Sequence, residues 1–489
     1  MLQDGIYWEG GMPPFYRLLQ VNITSGATPA RVHDALSQLW TMLEALRRGE
    51  VQDLRKELRP GDPDVVLDAG ELQVLLGYGG RLFDDALHVP PLVDPDEKPR
   101  FLQPLDTRQP TAPFARLTWL DHEDPRLHPQ HPNTTQSDLA FQFTGTSELA
   151  VNRAIVEVQK CIHDNDLPLR ITNFFSGFRR DDKRSWIDFH DGINNMTPPE
   201  RLVAMEVQNQ GKAWLHGGTY MCFLRIHVDI EAWRRIPRGF QELIVGRNKL
   251  TACPIEDTTR SDAQSDVQPV FQSGCPMSGN LPAMMTTDFR DAPQPTDRIA
   301  LAAHIFRSNL NRTGGPQSAS SRIYRQGYEF LEPSPDGGVL QGLNFVGFIR
   351  DLKEFIDILD SVGWLGDANF GGLETATENE PPSIELMKLL HGCYYAVPPM
   401  GSPFPGSDLL LSGTTPLVAS AEGVQSTPQS DVREIAGIGQ VYQRLLNEAG
   451  IFTVADLAMY EGGLADDSTP EIVKIAIERG WVSDAAKLI

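Results

Sequence analysis

Three short segments of the chain carry side chains that could do chemistry together. They are Asp191 in the sequence FHDG, His304 in AHI and Arg325 in RQGY. A carboxylate can move a proton, an imidazole can bind a metal ion, and a guanidinium keeps its charge at every physiological pH. An acid, a neutral ligand and a fixed cation suit acid–base chemistry at a metal centre.

Each of these residues also has an ordinary structural interpretation when it is taken alone. Asp191 precedes a glycine, and Asp-Gly is a common turn sequence. His304 lies in an apolar stretch, which is typical of a hydrogen-bonded core histidine, and Arg325 on its own would be a surface arginine with Arg322 as a rival for its role. His190 adjoins Asp191, but neighbouring side chains point in different directions, so we interpret it as a residue that lines the pocket.

In this order, and with these flanking residues, the three segments resemble the dye-decolourising peroxidase family. Asp188 stands where the family's distal GxxDG motif has its first glycine, and Gln326 replaces the second arginine of the family's Arg-Arg-Gly-Tyr sequence. The resemblance covers most of the chain. Its further segments are LQDGI at 2–6, LGYGGRLFD at 76–84, DFHDGINN at 188–195, GGTY at 217–220, VGRNK at 245–249, GLNFVGFIRD at 342–351 and YYAVPP at 394–399.

The resemblance implies a haem b peroxidase in which His304 is the iron ligand. Asp191 would move a proton between the two peroxide oxygens, and Arg325 would stabilise the charge that develops as the O–O bond breaks. It further places Arg307 at a haem propionate and Asp351 at the other ring N–H of His304. A surface salt bridge for Arg307 and a cap for Asp351 remain open as alternatives.

The implied substrates are hydrogen peroxide and an organic or dye-like reductant that is oxidised in one-electron steps. Bulky reductants would be oxidised at surface Trp or Tyr residues. A different class of hypothesis is a haem-binding scaffold whose C-terminal module docks a protein partner. The presence of both Asp191 and Arg325 favours catalysis, because a scaffold needs neither.

The pattern of apolar residues predicts an α+β fold built from a tandem ferredoxin-like domain, residues 1–400, with halves of about 1–200 and 201–400. In the first half we predict strands at 15–24, 71–79 and 139–143 and helices at 32–46 and 147–162. In the second half we predict strands at 219–229, 322–330 and 343–350 and helices at 230–247 and 352–359. The family resemblance implies the same fold.

Two proline-rich or polar stretches, 90–113 and 253–295, interrupt these halves and are predicted to be surface loops. The second contains Met277, Met284, Met285 and Cys275, whose spacing matches no ordered soft-metal site, so we favour a flexible apolar loop.

A Gly-, Ser- and Pro-rich linker is predicted at 401–430, followed by a small all-α module at 431–489. IAGIG at 435–439 resembles a helix-hairpin-helix motif, which in its family usually meets a DNA phosphate. The module contains ten acidic and five basic residues, a net charge of −5. Phosphate binding needs a positive field, so we favour protein docking or homo-oligomerisation over DNA binding.

The net charge of the whole chain, −22 over 489 residues, argues against a nucleic-acid or anionic-membrane partner. Five cysteines without a CxxC motif are typical of reduced thiols in a cytoplasmic protein. The first residues include Asp4 and Glu9 rather than a basic region before an apolar stretch, so no secretory signal is expected. No run of residues is apolar enough for a membrane span.

Overall fold

The computed structural model of the protein describes residues 2–6, 12–51, 54, 57–63, 65, 67–102, 137–193, 201, 205–207, 211–260, 267–271, 275, 295–308, 323–334, 337–359, 370–411, 432, 445–447, 449–460, 469–478 and 481–488. The chain divides into two compact units. The large unit consists of residues 2–197 and 204–413, and the small unit contains residues 414–489.

The first half of the large unit has the order strand, helix, strand, strand, helix, strand. Its elements are β1 (Phe15–Ile23), α1 (Pro29–Arg47), β2 (Gln73–Gly79), β3 (Leu139–Gly145), α2 (Glu148–Asp164) and β4 (Leu169–Phe178). The strands pair antiparallel in the order β4-β1-β3-β2. This arrangement is ferredoxin-like, and β4 is a strand that the apolar pattern did not predict.

The local sequence explains where the long helix of this half begins. The side chain of Thr28 accepts a hydrogen bond from the backbone N–H of Arg31, and Pro29 occupies the first turn, where its missing N–H costs nothing. The buried face of α1 contains the apolar residues that recur at helical spacing, Val32, Leu36, Leu39, Leu43 and Leu46. They pack in the main core cluster with outward residues of β1, β2 and β3.

The second half repeats the same order with an insertion. Its elements are β5 (Thr219–Val228), α3 (Ile230–Arg234), α4 (Arg238–Val245), β6 (Ile255–Arg260), β7 (Val267–Phe271), α5 (Arg298–Leu301), α6 (His304–Arg307), β8 (Tyr324–Pro333), β9 (Val339–Ile349), α7 (Leu352–Leu359), β10 (Met387–Val397) and α8 (Ser407–Leu411). The sheet order is β10-β5-β9-β8, again ferredoxin-like. The α+β prediction is therefore confirmed.

Two details of the second half differ from the sequence prediction. The single helix expected at 230–247 is two helices, because Pro237 lies between them and has no N–H to continue the first. The loop expected at 253–295 contains a two-stranded antiparallel sheet of β6 and β7. Of the four sulfur-containing residues named in that loop, Cys275 is buried, and the three methionines lie outside the described residues.

The two sheets join at both edges into a closed barrel of eight strands. Strand β10 pairs with β2 at Tyr395 and Gly79, and β4 pairs with β8 at Phe178 and Glu329. Closure removes the free edges that each four-stranded sheet would otherwise expose. It also brings the segment that follows β4 beside β8.

The small unit is helical in its described part, with α9 (Val454–Ala458), α10 (Glu471–Glu478) and α11 (Trp481–Leu488). Thr453 and Asp456 form a reciprocal capping box at the start of α9. The Gly-Ile-Gly sequence at 437–439 lies outside the described residues. No helix in the described part of the chain has the length and apolar character needed to cross a membrane.

Candidate active site

The outward face of β8 carries the first group of the site. Side chains alternate between the two faces of a strand, so Arg325, Gly327 and Glu329 share one face. Tyr328 points the other way, into the barrel, where its ring stacks on Tyr16 with centroids 4.5 Å apart. The outward face of β8 is therefore the face on which polar groups collect.

Asp191 is held by a short hairpin that follows β4. Arg184 and His190 form an antiparallel bridge, and the backbone N–H of Asp191 donates to the carbonyl of Lys183 over 3.0 Å. The Oδ1 atom of Asp191 accepts a 2.7 Å hydrogen bond from the N–H of Gly192. The backbone thus fixes the position of this otherwise exposed carboxylate.

The tip of this hairpin explains the departure from the family motif. Asp188 has a φ of +66°, which lies in the left-handed region where glycine is the usual residue. Aspartate tolerates this region better than most residues. The N–H of Asp188 donates to the carbonyl of Ser185 over 2.9 Å, so the turn is kept without the glycine.

The hairpin and β8 meet at Gly327 and Arg325. A Cβ atom at Gly327 would lie 2.9 Å from the Oδ2 atom of Asp191, so the missing side chain leaves room for this carboxylate. Arg325 donates from Nη2 to the carbonyl of Ile193 over 3.0 Å. The acid and the cation that the sequence analysis named are therefore brought together by β8.

His304 begins the short helix α6, close enough to β8 for the charge of Arg325 to act on it. Its Nδ1 atom lies 3.0 Å from the carbonyl oxygen of Phe370, and the two rings stack with centroids 4.1 Å apart. A carbonyl only accepts, so Nδ1 carries the proton and Nε2 carries the lone pair in the neutral ring. Burial, together with the smaller effect of the nearby charges of Arg325, Arg247 and Arg307, lowers the pKa of His304 to about 4. The ring is therefore neutral at physiological pH.

Two glycines let the backbone approach His304 closely. Gly246 ends α4 with a φ of +88°, and a Cβ there would lie 2.9 Å from the Cβ of Ala303. A Cβ at Gly371 would lie 2.9 Å from the backbone nitrogen of His304. Phe370 and Gly371 were missed by the sequence analysis, because their role depends on a long-range contact rather than on a motif.

The two remaining predicted site residues, Arg307 and Asp351, lie in different surroundings. Arg307, on α6, donates from Nη2 to the carbonyl of Gly372 over 2.8 Å, and its charge acts on His304. Asp351 instead accepts from the backbone N–H of Lys353 over 2.8 Å, as a helix cap does. The expected carboxylate at the His304 Nδ1 atom is replaced by the carbonyl of Phe370, since that oxygen already lies within hydrogen-bond distance.

Glu329 is a further titratable residue of the site that the sequence analysis missed. It is only 5% exposed, and burial together with the charge of Asp191 raises its pKa to about 9. The only sequence signal was the alternation of β8, which places Glu329 on the same face as Arg325.

The other histidines considered have their own partners. His190 is half-buried, and burial and the charge of Arg184 lower its pKa. His227 is bonded through Nδ1 to the carbonyl of Gln341. Arg322 lies outside the described residues. Within the described ranges, no group of three or more His, Cys, Asp or Glu side chains is arranged to hold a metal ion.

Comparison with known proteins identifies the same region. The family model "Dyp-type peroxidase, C-terminal" matches residues 182–402, which include Asp191, His304 and Arg325. The deferrochelatase of Shigella flexneri serotype 5b is 26% identical over 298 residues, covering 58% of this chain and 58% of its own length. The dye-decolorizing peroxidase of Thermobifida fusca is 23% identical over 388 residues, covering 75% of this chain and 76% of its own.

A solved structure shows the same fold. Ferric DtpA from Streptomyces lividans aligns with a TM-score of 0.57 at 18% identity, over 84% of this chain and 96% of that one. The fold, the matched family model and the two curated relatives agree, and residues 182–402 of the chain are similar to the Dyp-type peroxidase family.

Proposed function

We propose that the protein is a haem-dependent peroxidase that reduces hydrogen peroxide and oxidises organic or dye-like reductants in one-electron steps. One observation carries the proposal. The outward face of β8 holds Arg325 beside Asp191, while the charge of Arg325 also acts on His304. A proton carrier, a fixed cation and a neutral imidazole thus surround one region, as peroxide cleavage requires. The matched family model and the similarity to a dye-decolorizing peroxidase support the same activity.

The residues around His304 fit a haem group. The neutral ring offers the Nε2 lone pair to iron, and the hydrogen bond from Nδ1 to the Phe370 carbonyl fixes its orientation. Arg247, Arg307 and Arg325 all place positive charge near this ring. Positive charge favours binding of the negatively charged propionate groups of haem b, and we assign Arg307 to one of these propionates.

Asp191 and Arg325 are the residues that we assign to the peroxide. When bound, haem supplies the iron at which the O–O bond is cleaved. The Oδ2 atom of Asp191 would take a proton from one peroxide oxygen. It would return that proton to the other oxygen, which would then leave as water. Arg325 would stabilise the negative charge on the departing oxygen, and a charge held in place by Ile193 needs no reorganisation during the step.

An absorption spectrum tests this function. The purified protein, loaded with haem, should show a Soret band that shifts when one equivalent of hydrogen peroxide is added. A following organic reductant should return the band to its starting position and yield oxidised reductant. A protein that takes up no haem, or a band that peroxide leaves unchanged, would rule the function out.

None of the five cysteines, all of which lie in the described part of the chain, forms a disulfide bond, and this supports a reducing, cytoplasmic location. The small unit does not supply any of the site residues named above, and its acidic surplus supports a protein partner or a second copy of the chain rather than DNA. Truncation after Ser430 should leave haem content and turnover unchanged but alter assembly or partner capture. Loss of haem on truncation, or salt-sensitive duplex DNA binding by residues 431–489, would contradict this assignment.

A further inference from the structure

Glu329 lies beside the carboxylate of Asp191 without belonging to any motif. It is two residues beyond Gly327 on β8, so its side chain leaves the strand on the face where Asp191 sits. Arg325 lies two residues before Gly327 on that face. Along this face the strand therefore carries the cation of Arg325, then the space at Gly327 that the Asp191 carboxylate occupies, and then the carboxyl group of Glu329.

The hairpin after β4 covers this second carboxyl group. The backbone N–H of Trp186 donates to Glu329, and its ring nitrogen Nε1 donates to the carbonyl of Phe330 over 3.2 Å. The Trp186 ring meets Phe178, which pairs with Glu329 across the barrel seam, in an edge-to-face contact. The guanidinium of Arg180 lies 5.3 Å from the Trp186 ring centroid. Glu329 is thereby shielded from water on this side.

The charged groups that face Glu329 come from the same hairpin. Asp191 and Asp182 disfavour its ionised form, and Arg180 favours it. On the neighbouring strands its partners are the apolar residues Phe178 and Leu343. Burial is the largest effect and Asp191 the second, so Glu329 keeps its proton at neutral pH, with a pKa raised to about 9.

We propose that Glu329 is the protonated partner of Asp191 and stores a proton for it. The proposal rests on the peroxidase function above. Reduction of one hydrogen peroxide to two waters consumes two electrons and two protons, and an organic reductant supplies the electrons. After Asp191 has passed a proton on to the forming water, Glu329 gives its carboxyl proton to the Asp191 carboxylate and regains one from solvent near the ion pair of Asp182 and Arg180. Glu329 is a positioning residue, because it acts through Asp191.

The first test uses the haem-free full-length protein, so it does not depend on activity. The infrared band of protonated carboxyl groups is followed from about pH 6 to about pH 11, where exposed carboxyls are ionised. One carboxyl should lose its proton near pH 9 in the parent, be missing in Glu329→Gln, and remain in the matched control Glu332→Gln on the same strand. In Asp191→Asn the midpoint should move to lower pH, because the negative neighbour is gone. If Asp191→Asn leaves the midpoint of this carboxyl titration unchanged, the proposed pairing of Glu329 with Asp191 is wrong.

The second test uses the haem-loaded enzyme. Glu329→Gln should lower kcat about 10-fold with little change in KM for peroxide, and Glu329→Asp should recover part of the loss. The loss should be confined to pH values below about 9, where the parent holds the stored proton. In an Asp191→Asn background the same substitution should have no further effect.

Equal losses in both backgrounds would show a merely structural role and overturn the proposal. A parent without peroxidase activity but with the expected infrared result would instead refute the proposed function and leave the carboxyl pair standing.

Discussion

Strands β2 and β8 occupy the same place in the two halves of the barrel but carry different chemistry. Each is an edge strand of its four-stranded sheet and takes part in barrel closure. The outward residues of β2 are Val74, Leu76 and Tyr78, which are buried in the main core. The corresponding face of β8 carries Arg325, Gly327 and Glu329 instead.

The helices explain this difference. In the first half, α1 and α2 are 19 and 17 residues long and cover the sheet with apolar side chains. In the second half, α3, α4 and α7 have 5, 8 and 8 residues, and an insertion between α4 and β8 carries His304. A long amphipathic helix requires an apolar partner face, whereas a shorter cover leaves room for polar groups and a ligand. The two halves share one topology, but the first half mainly stabilises the barrel, whereas the second half carries the proposed site.

The strongest test of this division is His304→Ala. The variant should lose most of its haem, and added imidazole should restore binding, because the Nε2 lone pair is the proposed iron ligand. The Soret absorbance per protein measures the effect. His190→Ala and His227→Ala serve as controls and should keep the band. A normal spectrum for His304→Ala would remove the assignment.

Asp191→Asn should keep haem and lose roughly 10²- to 10⁴-fold in the rate of peroxide-dependent oxidation, because the proton carrier is gone. Arg325→Leu should cost as much or more, since a water molecule does not replace a preorganised charge. Stopped-flow spectroscopy measures both rates. If Asp191→Asn reacts as fast as the parent while Arg325→Leu is inactive, the proton-transfer role is wrong.

Glu329→Gln should raise the free energy of unfolding at pH 9 by on the order of a few kcal/mol. The folded pKa is raised to about 9, so between the unfolded pKa and about 9 the folded state holds a proton that the unfolded state has lost. Stability of the parent therefore falls as pH rises through this window, and glutamine removes that dependence. Denaturant titrations at about pH 5 and pH 9 measure it, and Glu332→Gln should keep the parent's slope.

Matched glycine substitutions on β2 and β8 give the smallest effects. A Cβ at Gly327 would lie 2.9 Å from the Oδ2 atom at the end of the Asp191 side chain, and one at Gly77 would lie 2.9 Å from the buried Cβ of Tyr395. Gly327→Ala should therefore cost about 10-fold in turnover with little loss of stability, since the carboxylate moves aside. Gly77→Ala should cost about 1–3 kcal/mol in stability and leave turnover per haem unchanged. The reverse pattern would contradict the division between the halves.

The sequence predicted those parts of the fold that depend on local order. Apolar spacing located α1 and α2 within a few residues, because an amphipathic helix must bury one face. It did not predict β4, whose central residues are largely exposed, or the break at Pro237. It also missed the pairing of β6 with β7, since the cross-strand partners of a hairpin leave little signal in a polar stretch.

By itself, the sequence determined the chemical groups of the site and their order along the chain. Asp191, His304 and Arg325 were identifiable because their side-chain types and flanking residues match a family pattern. The tertiary structure decided which groups face each other. Barrel closure between β4 and β8 brings the Asp191 hairpin over Gly327, and that contact makes the buried Glu329 a neighbour of Asp191. Local patterns fix which face of a strand a side chain occupies, but only packing between distant segments fixes what lies opposite that face.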